Sequence, residues 1–392
     1  MAWLGKQGAA VTAGVRAARA AHPIMYYSLY IHVPFCHGGK CDYCAFYSLG
    51  ASTPELRAQY LARLEEEFAA HARQCAPLRS IFIGGGTPSA LDADELARLC
   101  AAVRRHFDLA PDCEWTMEAN PDSLTTEKLH AALAAGVNRL SLGVQSFQPH
   151  LRRRLGRRGA IDALPELVAT ARHAGLQKLN LDLIYDIPGQ TLSEWDADLD
   201  AALALAPDHL SCYSLIFEEH TPLARRLAPP DDNDALFLQC WNRNDERLAA
   251  RGLPRYEISN FAAPACRCRH NWEIWHGQTY LGCGPAAVSF DGHDRPANPA
   301  DLHAWLDHAP QTHDRLSPDA RRREIFAFAF RTTDGWPWPL LENTLGLTRK
   351  DLEHDQAILD TIEQGMTVMD NSGVRPTPRG LLFNDQLLVA LL

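Results

Sequence analysis

Three cysteines fall close together in CHGGKCDYCAF (36–46), and they are the residues best placed to do chemistry. Cys36, Cys41 and Cys44 offer thiolates, which hold soft metals, so the stretch reads as a site for zinc or for an iron–sulfur cluster. Structural zinc closes with four ligands and would have to recruit His37 or the distant pair Cys266 and Cys268. Three thiolates on a [4Fe–4S] cluster leave one iron open to a chelating ligand instead. The spacing, and the position of the cysteines after a strand, favour the cluster. Of the 11 cysteines, Cys75, Cys100, Cys113, Cys212 and Cys240 sit in apolar patterns and read as small buried hydrophobes. Cys266, Cys268 and Cys283 read as structural or incidental thiols. That usage suits a reducing cytosol rather than a disulfide framework.

Other polar stretches also follow apolar runs. They are GGGTPS (84–89), Glu118–Ala119–Asn120–Pro121, Gln145–Ser146, and Asp182 leading into Tyr185–Asp186–Ile187–Pro188–Gly189. Glycines directly after a strand let backbone N–H and C=O groups approach a ligand closely. The elements that must position these residues show as two alternating patterns. Strand-like runs occur at 29–35, 80–86, 114–120, 139–145, 178–186 and 209–217, with amphipathic helical stretches at 53–75, 92–107, 125–136, 163–175 and 193–206. Asp92, Thr125 and Ser193 are N-cap candidates, and Gly136 and Gly175 are C-cap candidates. Six such units predict an α/β fold: a parallel sheet with right-handed crossovers, curled into a partial TIM-type (β/α)6 barrel. Chemistry in such barrels gathers at the C-terminal strand ends, and every polar stretch named above falls there.

The bulk numbers set limits. A chain of 392 residues with 46% hydrophobic and 22% charged residues is long enough for a barrel and a smaller domain. A net charge of −10 argues against nucleic-acid binding, because no global basic field steers phosphate. No apolar run approaches the ~18–20 residues that span a bilayer, and a cytoplasmic location is expected. Residues 1–24 contain no Asp or Glu and are rich in Ala, with some Arg. They lack the uninterrupted apolar stretch of a secretory signal and read as an extension without fixed structure ahead of Met25. The expected organisation is 1–25 extension, 26–220 partial barrel, 221–295 barrel-associated extension, and 296–392 a smaller, mostly helical C-terminal domain. Residues 222–234 read as a loop or hinge.

The motifs YIHVPFC, CDYCAF, IFIGGGTPS, EANP, GVQSF, LDLIYDIPGQ, YEISNFA, RHNW, YLGCG and TPRGLLFND occur in that order. From about residue 28 to the C-terminus the chain resembles radical S-adenosylmethionine (SAM) enzymes. Within them it resembles the anaerobic coproporphyrinogen III oxidase-like family, and most of all its haem chaperone branch. The resemblance implies a partial barrel with a C-terminal domain of that family. It implies a [4Fe–4S] cluster on Cys36, Cys41 and Cys44, with SAM on the open iron. Tyr30 would lie by the cluster, Tyr43 beside adenine, and Phe46 among the SAM-contacting residues. Gly85, Gly86 and Thr87 would meet the methionine end, Glu118 its ammonium and Arg157 its carboxylate. Gln145 and Asp182 would take the ribose hydroxyls. These pairings are chemically sound, since carboxylates attract ammonium and arginine grips carboxylate bidentately.

Two features choose the branch. Relatives that decarboxylate coproporphyrinogen carry a further cysteine where Phe46 stands here. The RHNW and YLGCG segments resemble the haem-associated region of the chaperones. There His270 would be the iron ligand, with Trp272, Trp275 and Tyr280 as apolar walls. The implied partners are haem or another porphyrin and an acceptor protein that takes the haem, membrane-associated or respiratory. The competing functions are oxidative decarboxylation of coproporphyrinogen III to protoporphyrinogen IX and a zinc-stabilised binding module. The sequence departs from the family at five places. The first cysteine spacer has four residues rather than three, and Gly38–Gly39 can absorb the extra one as a bulge. Ile274 stands where Tyr is usual, Ala286 and Val288 replace a later Gly and His, and Gly159 replaces a His after Arg157.

Overall fold

The computed structural model describes residues 25–227 and 235–392. The expected N-terminal extension, Met25 aside, and the later part of the expected hinge at 222–234 lie outside them. Six parallel strands follow the chain: β1 (Tyr26–Val33), β2 (Cys75–Gly85), β3 (Leu109–Ala119), β4 (Arg139–Gln145), β5 (Lys178–Tyr185) and β6 (His209–Ser214). Between them run α1 (Pro54–His71), α2 (Ala93–His106), α3 (Thr126–Ala135), α4 (Pro149–Arg154), α5 (Leu164–His173) and α6 (Leu192–Ala204). This is the expected partial barrel. It is extended at both edges, because β7 (Asn260–Ala262) adds antiparallel to β6 and β8 (Tyr280–Cys283) adds parallel to β1. The sheet order is β7-β6-β5-β4-β3-β2-β1-β8, open at its two ends.

Local sequence fixes most helix ends. Asp92 and Glu95 form a reciprocal capping box at α2, and Thr125 caps α3. Gly136 closes α3 in the left-handed region at φ 113°. The cap of α6 is Thr191 rather than Ser193, because Glu194 reaches back to the Thr191 N–H. The last residue capping α5 is Ala174, and Gly175 follows it at φ 94°.

Strand alternation explains the interior. Leu29, Ile31, Ile81, Ile83, Trp115, Met117, Leu140, Leu142, Leu179, Leu181 and Leu210 point outward into the helix-covered core. The alternate residues face the lumen and are mostly polar: Tyr30, Glu118, Arg139, Ser141, Asn180, Asp182, His209 and Ser211 line a shared cavity. The lumen is therefore a chamber, not a packed core. Its underside is met by the helix Arg269–Trp275, whose Asn271 lines the cavity while His270 packs against Phe82 at 5.3 Å between ring centroids.

A second core gathers Phe290 with Ile325, Phe326, Phe330, Trp336, Leu341 and Leu387 around mostly helical segments. Leu302 and Trp305, beyond the expected boundary near 296, pack into the first core. The chain thus returns to the barrel before it enters the C-terminal unit. The seam between the two is polar and specific. Arg267 pairs with Asp334 at 2.6 Å, Trp272 Nε1 donates to Asp334 at 3.1 Å, and Ile258 N–H donates to the Arg331 carbonyl at 3.1 Å.

Candidate functional site

A cleft of about 570 Å3 opens at the C-terminal strand ends, and the cysteine loop forms one wall. Cys36, Cys41 and Cys44 all line it. The loop is pinned by Cys36 N–H to the Leu49 carbonyl at 2.8 Å and Asp42 N–H to the Leu155 carbonyl at 3.1 Å. Arg226 holds the Asp42 carboxylate at 2.7 Å. In the four-residue spacer, Gly38 and Gly39 take φ values of 70° and 108°, a conformation that side chains strain to adopt. Burial pushes the Cys41 and Cys44 thiols up. Among the described residues no three His, Cys, Asp or Glu side chains converge on one point as a single-ion site requires. The pair Cys266 and Cys268 does not reach the loop: the Cys268 N–H donates to Tyr256 Oη under the barrel at 3.2 Å.

The glycine run is demanded by close contacts. A Cβ on Gly84 would lie 2.8 Å from the Glu118 carboxylate, and one on Gly86 would lie 2.6 Å from the Phe35 carbonyl. Gly85 sits at φ 105° against the His32 ring. Its N–H donates to Glu118 Oε2 at 3.3 Å. Desolvation, reinforced by the Asp182 carboxylate, pushes the Glu118 carboxyl up to about 8. Asp182 is also raised by burial, although Asn180 at 2.8 Å and Ser141 at 3.1 Å donate to it. Arg157 reaches into the cleft from the loop after α4. It donates to Asn120 Oδ1 at 2.6 Å and touches Tyr43 Oη at 3.5 Å, while its Nε has no partner. A Cβ on Gly143 would lie 2.8 Å from that guanidinium. Gln145 ends β4 at φ 71°, a strained value for a side chain and one that clusters at functional sites.

Of the residues expected to touch SAM, Tyr43, Phe46, Gly85, Gly86, Thr87, Glu118, Gln145, Arg157 and Asp182 line this one cleft. Tyr30 lies just below, in the adjoining chamber, with its hydroxyl 3.1 Å from His32 Nδ1. The expected haem residues sit elsewhere. His270 is 3% exposed, its Nδ1 is 3.0 Å from Ser80 Oγ, and burial pulls its imidazole down to about 4. Trp272 stacks on His276 at 3.9 Å, and Arg331 lies over the Trp275 ring at 5.6 Å. Both tryptophans serve the seam with the C-terminal unit. The residues to which reasoning from sequence gave no role are Asn120, which joins Thr87 at 3.2 Å to Arg157, and Gly143, which makes room for Arg157. Both lie inside quoted motifs, EANP and GVQSF, so their place at a strand end was the available signal.

The residues present suit a cluster and SAM. Three thiols share one wall, Arg157 keeps an unpartnered buried nitrogen, and glycines leave space that a Cβ would fill. Sequence comparison agrees on the class: the Radical SAM superfamily model matches residues 30–202, and the HemN C-terminal domain model matches residues 316–383. A radical SAM domain implies a [4Fe–4S] cluster and SAM. The chain is 34% identical to the heme chaperone HemW of Mycobacterium tuberculosis, over 95% of this chain and 96% of that protein. It is 32% identical to the heme chaperone HemW of Bacillus subtilis, over 93% of this chain and 99% of that protein. It belongs to the HemW family. In fold it is similar to the solved coproporphyrinogen III oxidase (HemN) of Escherichia coli, a radical SAM enzyme, with a TM-score of 0.80 at 24% identity over 95% of this chain and 91% of that one.

Proposed function

We propose that this protein is a haem chaperone built on a radical SAM barrel, which binds haem and delivers it to an acceptor protein. The observation that carries the reading is similarity along nearly the whole length of curated HemW proteins, barrel and C-terminal unit together. In this reading Cys36, Cys41 and Cys44 hold the cluster, whose fourth iron offers the coordination position that SAM chelates. Glu118 receives the SAM ammonium and Arg157 the carboxylate. Gly85, Gly86 and Thr87 close around the methionine end, Tyr43 packs on the adenine side, and Gln145 and Asp182 accept from the ribose. Phe46 is 70% exposed at the lip of the cleft, where the decarboxylating relatives carry a cysteine. Coproporphyrinogen is therefore expected to yield neither CO2 nor protoporphyrinogen. No described helix is long and apolar enough to cross a membrane. A cytoplasmic location, with an acceptor at a membrane or in a respiratory assembly, completes the proposal.

The test is a haem titration. Wild-type protein should give a saturable Soret change, and a flat titration removes the chaperone reading. His270→Ala separates the ligand question: it weakens the change if His270 binds iron. Iron binding there requires the helix Arg269–Trp275 to leave the barrel floor, since His270 is buried beside Ser80. An unchanged titration in the variant removes His270 as ligand.

A further inference from the structure

Beneath the SAM-side cleft lies a second chamber of about 350 Å3. The two share Phe46, Gly85, Glu118, Ser141, Asp182 and Tyr213, so the lower one is reached from the same mouth. Its lower part carries Arg139, the first residue of β4, 2% exposed and facing the lumen. The Arg139 backbone is paired in the sheet, but its guanidinium makes no hydrogen bond or ion pair with the described residues, and its Nε is buried without a partner. The acids whose charge it feels are already engaged. Glu114 pairs with Lys178 at 3.0 Å and accepts the Arg269 N–H at 2.8 Å, and Asp182 accepts from Asn180 and Ser141. Around it the chamber offers neutral polar groups, with Glu118 and Asp182 on the side shared with the upper cleft. Asn260 and Asn271 line the chamber beside it, Asn271 from below. His209 is committed on both ring nitrogens, to Asn180 Oδ1 at 2.7 Å and to Tyr256 Oη at 2.8 Å.

A buried guanidinium without a partner is costly, and a planar, singly charged acceptor that can take two parallel N–H bonds relieves it best. We propose that the floor of the lumen is a carboxylate-binding site, with Arg139 as its charged anchor and Asn271 as a flanking amide. The carboxylate belongs either to a small aliphatic acid or to the propionate arm of a tetrapyrrole. The second source rests on the haem reading above, and the first does not.

Calorimetric titration with sodium propionate tests the site, and haem against haem dimethyl ester separates the sources. Wild type should bind propionate saturably, and Arg139→Gln should weaken it roughly tenfold or more, the loss of a charge-assisted pair. If the arm is a tetrapyrrole's, Arg139→Gln weakens haem and leaves the dimethyl ester unchanged. If the ligand is a free acid, the two proteins bind haem alike and differ only with propionate. Circular dichroism checks the fold. Should Arg139→Gln not fold, Asn271→Ala keeps the charge and should weaken propionate severalfold. The proposal is overturned if wild type ignores propionate and the haem titrations of wild type and variant superimpose. A flat Soret titration with propionate binding intact removes the haem reading and leaves this site standing.

Discussion

Without SAM, Glu118 keeps its proton near neutral pH because it lies deep between Gly84 and Asp182, where water cannot stabilise a second carboxylate. Its folded-state value of about 8 stands above the ordinary carboxyl value of 4.5, so the folded chain holds one more proton than the unfolded chain between them. Stability from this group is complete below about 4.5 and is lost as pH rises through about 8. Glu118→Gln has no such term. Its melting temperature, measured without SAM, should gain on wild type from about pH 4.5 to about pH 8 and then run parallel. A difference that does not change with pH would place Glu118 in a wetter setting. Gly143→Ala should push Arg157 aside and weaken SAM roughly tenfold by calorimetry, with little change in melting. Glu118 was legible in the sequence because it ends a strand, and Arg157 through the resemblance, whereas Gly143, inside β4, was given no role. Arg139 was not legible either. It begins a strand, where a charged residue reads as the solvated entry to a sheet, and only the barrel's curvature turns it inward.

The elements were legible where local chemistry decides them. The six strands appeared as β-branched and aromatic runs, and the caps Asp92, Thr125 and Gly136 act as their residue types suggest. Thr191 displaced Ser193 because the partner glutamate selects the residue three positions before it. Short β7 and β8 carried no pattern, since strands of three and four residues are made by their neighbours in the sheet. The cysteine spacer is the element most open to test. A Cβ placed on Gly38 or Gly39 would meet no atom within 4 Å, so only their backbone conformation resists substitution. A left-handed residue other than glycine costs about 1–2 kcal/mol. Gly38→Ala with Gly39→Ala should therefore lower the iron and sulfide bound per chain after reconstitution while the barrel's melting temperature hardly moves. Full iron content in the double variant would show that the loop's conformation does not depend on them.

The whole molecule joins two cores along a seam in which residues 256–258 and 267–276 take part. Residues 267–276 touch the barrel through His270 and Asn271 and the C-terminal unit through Arg267, Trp272 and His276, with His276 Nε2 2.9 Å from the Gly335 carbonyl. The haem residues expected there are thus structural in this conformation, and sequence could not show it because Asp334 and Gly335 lie about sixty residues further on. Asp334→Ala removes the acceptor of both Arg267 and Trp272. The pair is about one-third exposed, so the loss should be about 1 kcal/mol. Hydrogen exchange should show it as faster exchange confined to 256–276 and 331–338. Exchange unchanged there would mean that the apolar contacts alone hold the seam. The function proposed for the cleft requires the cysteine loop to hold a cluster with an open iron despite its four-residue spacer. The most direct test is electron paramagnetic resonance of anaerobically reconstituted, dithionite-reduced protein, with and without SAM, beside iron and sulfide counts. A [4Fe–4S]+ signal that shifts when SAM is added is the predicted result. Zinc without labile sulfide, or a cluster signal indifferent to SAM, would contradict it.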